Sequence, residues 1–262
     1  MQLAALVTGG GSGIGAATAR LLAGEGWLVG VIGRRVEQVN KVAEEIGGIS
    51  LPGDATDPAQ LALAVAELTS AAGGLHGLVC CAGSGLSGTA LEQTPDGWES
   101  VLRTNLTGPF LAARAALPEL LSTRGSIVIV SSLAGLRAGP AAVAYSSAKA
   151  GAIQLGRCLA VDHGPQGVRS NIVCPGWVRT PMADAVMMEL AGRLGGSLDD
   201  AYREVSRLAP DRRPATAEEV AETIFWLLSA RASGINGATI TVDGGAHIVD
   251  AETVAFLPLG DD

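Results

Sequence analysis

The sequence predicts an α/β protein, a doubly wound parallel sheet of about seven strands with helices on both faces. Short β-branched or apolar runs alternate with longer helical stretches, and that alternation marks βαβ units with right-handed crossovers. Composition agrees: 48% of residues are hydrophobic but only 3% aromatic, so the core is Ala, Val, Leu and Ile. Small aliphatic side chains suit helices packed closely on a sheet buried on both faces. No Pro/Ser-rich tract, charge block or internal repeat divides the 262 residues, which read as one domain.

Strands are expected at 5–7, 28–32, 49–51 (the weakest), 78–81, 126–130, 170–174 and 238–242. Helices are expected at 15–23, 36–46, 58–71, 98–121, 144–162 and 217–228. Pro58 behind Asp57 and Pro95 behind Thr94 have the form of helix starts. From 182 to 213 the pattern is irregular.

The net charge of −8 argues against a nucleic-acid partner, whose phosphates need a basic surface. No apolar run has the length of a membrane span, and a glycine-rich turn by Gly9 does not fit a secretory signal, so a cytoplasmic protein is expected. Cys80, Cys81, Cys158 and Cys174 lack metal-ligand spacing, and His76, His163 and His247 are scattered. The cysteines read as small, reduced core residues, and no metal site is expected.

Between the first strand and first helix runs LAALVTGGGSGIGAATARLLAGEG, with five glycines inside seven positions. A helix N-terminus offers unpaired N–H groups and a positive dipole end, a setting for phosphate. Glycines permit positive φ and let a pyrophosphate approach the backbone without a Cβ in the way. Gly9, Gly11, Ser12, Gly13, Ile14 and Gly15 are therefore candidate dinucleotide contacts, although a tight turn without a ligand is the plainer alternative. The second strand ends in VIGRR. Gly33 stands where an acid would bind a ribose 2′-hydroxyl, and Arg34 and Arg35 follow, which favours NADP(H) over NAD(H).

Several ordered motifs make the chain similar, from residue 3 to about 245, to the compact short-chain dehydrogenase/reductase family, which has a Rossmann-type fold. TGGGSGIG (8–15) matches its TGxxxGxG turn, and Asp54 in GDATD its adenine-contacting acid, with Ala55 beside it. Ala82 and Gly83 match the end of its NNAG, Asn105 its helix asparagine, Ser132 its serine, and YSSAK (145–149) its YxxxK. PGWVRT matches its PGxxxT, carrying Pro175, Gly176, Val178 and Thr180 to the nicotinamide. One departure is plain: NNAG has become CCAG, so the asparagines that brace neighbouring strands in the family are missing.

Tyr145 and Lys149 stand four apart on one helix face. A tyrosine with pKa about 10 is a poor acid–base catalyst at neutral pH, but an adjacent ammonium and an oxidised nicotinamide favour its phenolate. Tyr145 could then pass a proton to or from a substrate oxygen, with lysine donors left for the nicotinamide ribose. Such a pair alone is commonplace; the context distinguishes it. Ser132, 13 residues before Tyr145, has the family separation and would hydrogen-bond the substrate oxygen. Ser131 reads as a strand-end serine satisfying local backbone. The resemblance gives Asn105 a water that links Lys149 to solvent.

The resemblance also makes 182–213 the substrate lid, with Gly192, Gly195 and Gly196 as candidate hinges. Met187 and Met188 suggest an adaptable apolar wall. Ser84, Leu86, Leu133, Val143 and Trp177 are expected to line the remaining pocket, for a bulky, apolar ketone or alcohol or an acyl thioester. The extension 246–262 is apolar at Val249, Val254, Phe256, Leu257 and Leu259, and is expected to pack on a neighbouring subunit of a homotetramer. Ala148, Ala150, Gly151 and Ala152 are expected to let helices approach at a dimer face. A non-catalytic NADP(H) sensor is the alternative, although such proteins usually lose the tyrosine or lysine. Sugar-nucleotide epimerases fit less well, having a shorter glycine spacing and longer chains.

Overall fold

The structure is a computed structural model that describes residues 2–85, 87–250 and 252. Seven parallel strands form one sheet: β1 (Ala4–Thr8), β2 (Leu28–Gly33), β3 (Ile49–Pro52), β4 (Gly77–Cys80), β5 (Ser126–Val130), β6 (Arg169–Pro175) and β7 (Thr239–Val242). Their order is β3-β2-β1-β4-β5-β6-β7. The chain winds outward one way from β1 and then the other way from β4. That leaves a crevice at the carboxyl ends of β1 and β4, where open α/β sheets bind ligands.

Alternate residues of each strand enter opposite layers. Ala5, Val7, Val29, Val31, Val79 and Val128 pack beneath α1 (Gly13–Gly24), α2 (Val36–Glu45) and α9 (Ala217–Leu228). Leu6, Ile32, Leu78, Ile127 and Ile129 pack beneath α3 (Pro58–Ala72), α5 (Gly108–Thr123) and α6 (Val143–His163). Helix α3 starts where its sequence says it should: Asp57 accepts hydrogen bonds from Ala59 and Gln60 N–H, with Pro58 at the first position. None of the described helices is long and apolar enough to cross a membrane.

Three expectations need correction. The stretch 182–213 is largely ordered into α7 (Pro181–Leu194) and α8 (Leu198–Ser206). Thr180 caps α7, left-handed Gly195 ends it, and Ser197 with Asp200 forms a capping box for α8. The expected helix at 98–121 is two: α4 (Pro95–Leu102) and α5, joined by a π-turn over Arg103–Thr107. On α6, Ala148 and Ala152 are buried in the subunit's own core, and an added Cβ on Gly151 would meet Leu106. Of those four small residues, Ala150 alone is exposed. The residues Val254, Phe256, Leu257 and Leu259 lie outside the described part of the chain.

Candidate active site

Each glycine that shapes the first turn meets a specific neighbour. Gly9 has φ +67°, and a Cβ on it would lie 2.7 Å from Ala82 Cα. Gly13 has φ +53°, with Thr180 Cγ2 3.1 Å from its added Cβ. On Gly15 a Cβ would come within 2.4 Å of the Gly9 carbonyl oxygen, so α1 lies directly on the turn. Gly11 faces α2 at Gln38 and Val39, and Ile14 packs into the core. Helix α1 has no capping side chain and no acid in its first turn. An anion suits such an N-terminus, so the turn fits a dinucleotide phosphate.

The second-strand arginines flank this turn. Both are exposed, and Arg35 donates to Ser12 Oγ, which joins the end of β2 to the glycine turn. At the end of β3, Asp54 Oδ1 accepts from Thr56 N–H at 2.8 Å and from the Thr56 hydroxyl at 2.9 Å. Ala55 beside it is buried.

The catalytic candidates gather at the carboxyl ends of β4 and β5. Lys149 is 5% exposed, and its ammonium donates to Val130 O at 2.9 Å and lies 5.6 Å from the Tyr145 ring centre. One of its three protons is thereby committed. Asn105 is buried in the π-turn, where Nδ2 donates to Ser84 O at 2.7 Å and to Val101 O at 3.0 Å. Its Oδ1 accepts from Ser84 N–H at 3.4 Å. Gly83 joins the two side chains: a Cβ there would lie 3.2 Å from Asn105 Oδ1 and 3.7 Å from Lys149 Nζ. Ser132 follows β5 in extended conformation, and its hydroxyl accepts from Ala134 N–H at 3.1 Å.

Of the residues expected to line a substrate pocket, Leu133 is buried, Val143 opens α6 half-buried, and Trp177 is 41% exposed. Val178 is buried and forms an isolated bridge with Ala215, which brings the chain beyond α8 back beside the PGWV turn. Gly176 of that turn is pressed against Asp243, 2.9 Å from an added Cβ to Asp243 Cβ. Pro175 closes β6, fully buried, and Thr180 caps α7 through Ala183 N–H at 3.3 Å. Met187 is 1% exposed and packs with Ala183, Ala191, Ala201 and Tyr202, inside the α7–α8 pair. Met188, by contrast, is exposed. Leu86 lies outside the described residues.

Residues 9–247 match the family described as Enoyl-(Acyl carrier protein) reductase. The chain is 42% identical to Protein MoaE of Klebsiella aerogenes, over 98% of this chain and 100% of that protein. It is 34% identical to meso-2,3-butanediol dehydrogenase of Serratia marcescens, over 94% of this chain and 95% of that one. This chain belongs to the short-chain dehydrogenase/reductase family. Among solved structures, a variant of actinorhodin polyketide ketoreductase with NADPH superposes with TM-score 0.89 at 30% identity. That match covers 95% of this chain and 98% of the other.

In this short-chain dehydrogenase/reductase, several contacts at the site had no motif to announce them. Ser131 is buried and donates to the Lys149 carbonyl at 2.8 Å, so it reaches helix α6 rather than its own strand end. Thr8 Oγ1 accepts from Cys81 and Ala82 N–H at 3.1 and 3.2 Å. In the α7–α8 pair, Tyr202 donates to Asp184 at 2.7 Å while Arg179 lies over its ring at 4.5 Å. Burial and the Asp184 carboxylate push the Tyr202 hydroxyl well above the usual tyrosine range, so it serves as a neutral donor. Burial also pushes the Cys80 thiol up to about 12 and Cys81 to about 11, against the opposing influence of Lys149. The cysteine pair therefore brings no negative charge to the site at neutral pH.

Proposed function

We propose that this protein is an NADP(H)-dependent oxidoreductase interconverting a ketone and a secondary alcohol, with Tyr145 as general acid–base. The observation that carries this reading is the buried ammonium of Lys149, fixed by Val130 O and set 5.6 Å from the Tyr145 ring. Tyr145 and Lys149 thus stand one helical turn apart on the same face of α6, with the lysine held in place by its carbonyl contact. A nicotinamide, when bound, would supply or accept the hydride at the substrate carbon. Tyr145 gives a proton to the carbonyl oxygen in reduction and takes it from the alcohol in oxidation. Ser132 donates to the same oxygen and stabilises its developing charge.

Lys149 has two protons beyond the Val130 contact, enough for the ribose hydroxyls and for a water. Both amide protons of Asn105 are engaged, so it receives that water through an acceptor oxygen. Arg35, bonded to Ser12, and the adjacent Arg34 support a 2′-phosphate, and Asp54 and Ala55 an adenine. Gly83, Pro175, Gly176, Val178 and Thr180 frame the nicotinamide end. Exposed Trp177, Met182 and Val186 support a bulky apolar substrate, with an acyl thioester as the second candidate class.

The test follows reduced-nicotinamide absorbance with NADPH and separately NADH, across acyl thioesters, cyclic diketones and polycyclic ketones. Turnover with NADPH that falls by about 10²–10⁴ in Tyr145→Phe is expected. Preference for NADH would overturn the arginine reading. Tight NADPH binding with turnover that ignores Tyr145 would overturn the catalytic one.

A further inference from the structure

The five-residue π-turn that carries Asn105 is fastened through its first and its middle residue. Asn105 grips the backbone of Ser84, at the nicotinamide end of the proposed groove. Two residues earlier, Arg103 reaches the opposite, adenine end. Its Nε donates to Thr56 Oγ1 at 3.3 Å and its Nη2 to the Thr56 carbonyl at 3.4 Å. The Thr56 hydroxyl has one proton, and Asp54 Oδ1 receives it at 2.9 Å. Its oxygen is thereby left as the acceptor for Arg103, which orders a directed chain from Arg103 through Thr56 to Asp54. Thr56, the middle member of this chain, is 8% exposed, whereas Arg103 reaches it from the surface. The neighbouring Ala55 carbonyl lies against Gly108, where an added Cβ would come within 3.3 Å. The adenine-end loop therefore rests on the first residue of the π-turn and on Gly108, which follows it.

We propose that Arg103 is a positioning residue that couples occupancy of the adenine end to the setting of Asn105. The proposal rests on the nucleotide reading above. A rigid guanidinium holding two atoms of one residue transmits direction as well as distance, which a single flexible ammonium contact does not. A π-turn is a local departure from the regular helical hydrogen-bond ladder, and such turns recur at functional sites. An adenine that docks on Asp54 shifts Thr56, Thr56 carries Arg103, and Asn105 follows within the same turn. The nicotinamide end is thereby set before the hydride moves.

Hydrogen exchange on the apoprotein tests this without turnover, using adenosine 2′,5′-bisphosphate and adenosine 5′-monophosphate as probes. Wild-type protein is expected to gain protection at residues 9–15 and 54–57 and also at 84 and 103–108. In Arg103→Gln and in Thr56→Val, protection stays at the first two segments and is lost at the last two. Thr56→Val keeps the side-chain shape, so it separates the link from gross unfolding. A kinetic arm adds the same adenosine phosphates to wild-type protein turning over reduced nicotinamide mononucleotide. Activation of at least about fivefold is expected, the lower end of ordinary couplings, and it disappears in both variants while unstimulated turnover persists. Protection that reaches 103–108 equally in the variants overturns the coupling, as does wild-type protection confined to 9–15 and 54–57. Protection at none of these segments removes the nucleotide reading itself, and the coupling with it.

Discussion

Gly15→Ala sets two effects of opposite sign against each other at one atom. In a helix interior, replacing glycine by alanine stabilises by about 0.8–1.0 kcal/mol, because glycine loses more backbone freedom on folding. At Gly15 the new methyl would stand 2.4 Å from the Gly9 oxygen, 2.9 Å from its carbon and 3.0 Å from Gly10 Cα. Contact becomes ordinary only from 3.4 Å, so turn and helix must part by about 1 Å. The opposing atoms are backbone, and Gly9 N–H is held by Ile32 O at 2.8 Å. Overpacking of this kind costs about 1–3 kcal/mol, and with no side chain able to swing away the upper half applies. The clash wins, and a net loss of about 1–2 kcal/mol is expected. Gly192→Ala in α7 is the control, because nothing lies within 4 Å of its added Cβ. There the propensity gain of about 0.5–1 kcal/mol stands alone. Guanidinium unfolding of both variants at one protein concentration reads the difference as midpoint shifts of opposite sign with unchanged slope. A Gly15→Ala midpoint at or above wild type would refute the close-approach account of this glycine.

Three further outcomes follow from the same geometry. Arg35→Ala should weaken NADPH binding by about 10–100-fold, since a charge-assisted hydrogen bond contributes about 1.5–3 kcal/mol, and should leave NADH nearly unchanged; equal losses measured by fluorescence titration would remove Arg35 from 2′-phosphate recognition. Cys158 is exposed, whereas burial holds Cys80 at about 12 and Cys81 at about 11. A thiol reagent at pH 8 should therefore label Cys158 first, and Cys158→Ser should abolish the fast phase. Arg213, with the Thr216 N–H, lowers the Glu219 carboxyl to about 2. A depressed carboxylate stabilises the fold above its unfolded value near 4.5, and that contribution is lost as pH falls towards 2. Glu219→Gln should flatten the acid limb of a stability–pH curve, by less than about 1 kcal/mol because the pair is exposed; an unchanged limb would count against the ion pair.

The parts of this fold that were legible in the sequence are those whose cause is local. A parallel sheet buried on both faces gives short apolar runs, and the crevice between β1 and β4 follows from strand order together with the glycine turn. Helices α7 and α8 were also locally encoded. Thr180-Pro181 and the Ser197/Asp200 capping box are ordinary start signals, but Gly192, Gly195 and Gly196 draw the eye to breakage. Only Gly195 of the three carries a left-handed turn, and it ends α7 rather than loosening it. The π-turn differs in kind. Its apolar pattern continues across Arg103–Thr107, and the interruption matches contacts distant in sequence: Ser84 held by Asn105 and Thr56 held by Arg103. Periodicity within one segment cannot register such a cause. Met187 follows the same logic, since its burial depends on α8 folding back with Ala201 and Tyr202.

The CCAG departure shows how backbone accounting corrects a side-chain argument. In the family resemblance the asparagines brace neighbouring strands, so their loss predicts a looser end to β4. The groups that position the groove, however, are the N–H donors of Cys81 and Ala82, and Thr8 Oγ1 on the adjacent strand accepts from both. Thr8 is 2% exposed, so this shared acceptor is shielded from water. Cys80 completes the replacement passively: its side chain is buried in the core and its thiol meets the Pro109 carbonyl at 3.9 Å. Small apolar thiols fill the space without adding polar groups that would need partners. Gly9 then fits against Ala82, and Asn105 and Lys149 converge on Gly83. The close approaches at this corner are made by backbone, Thr8 and glycine, so two cysteines can stand there while the geometry proposed for hydride transfer is kept.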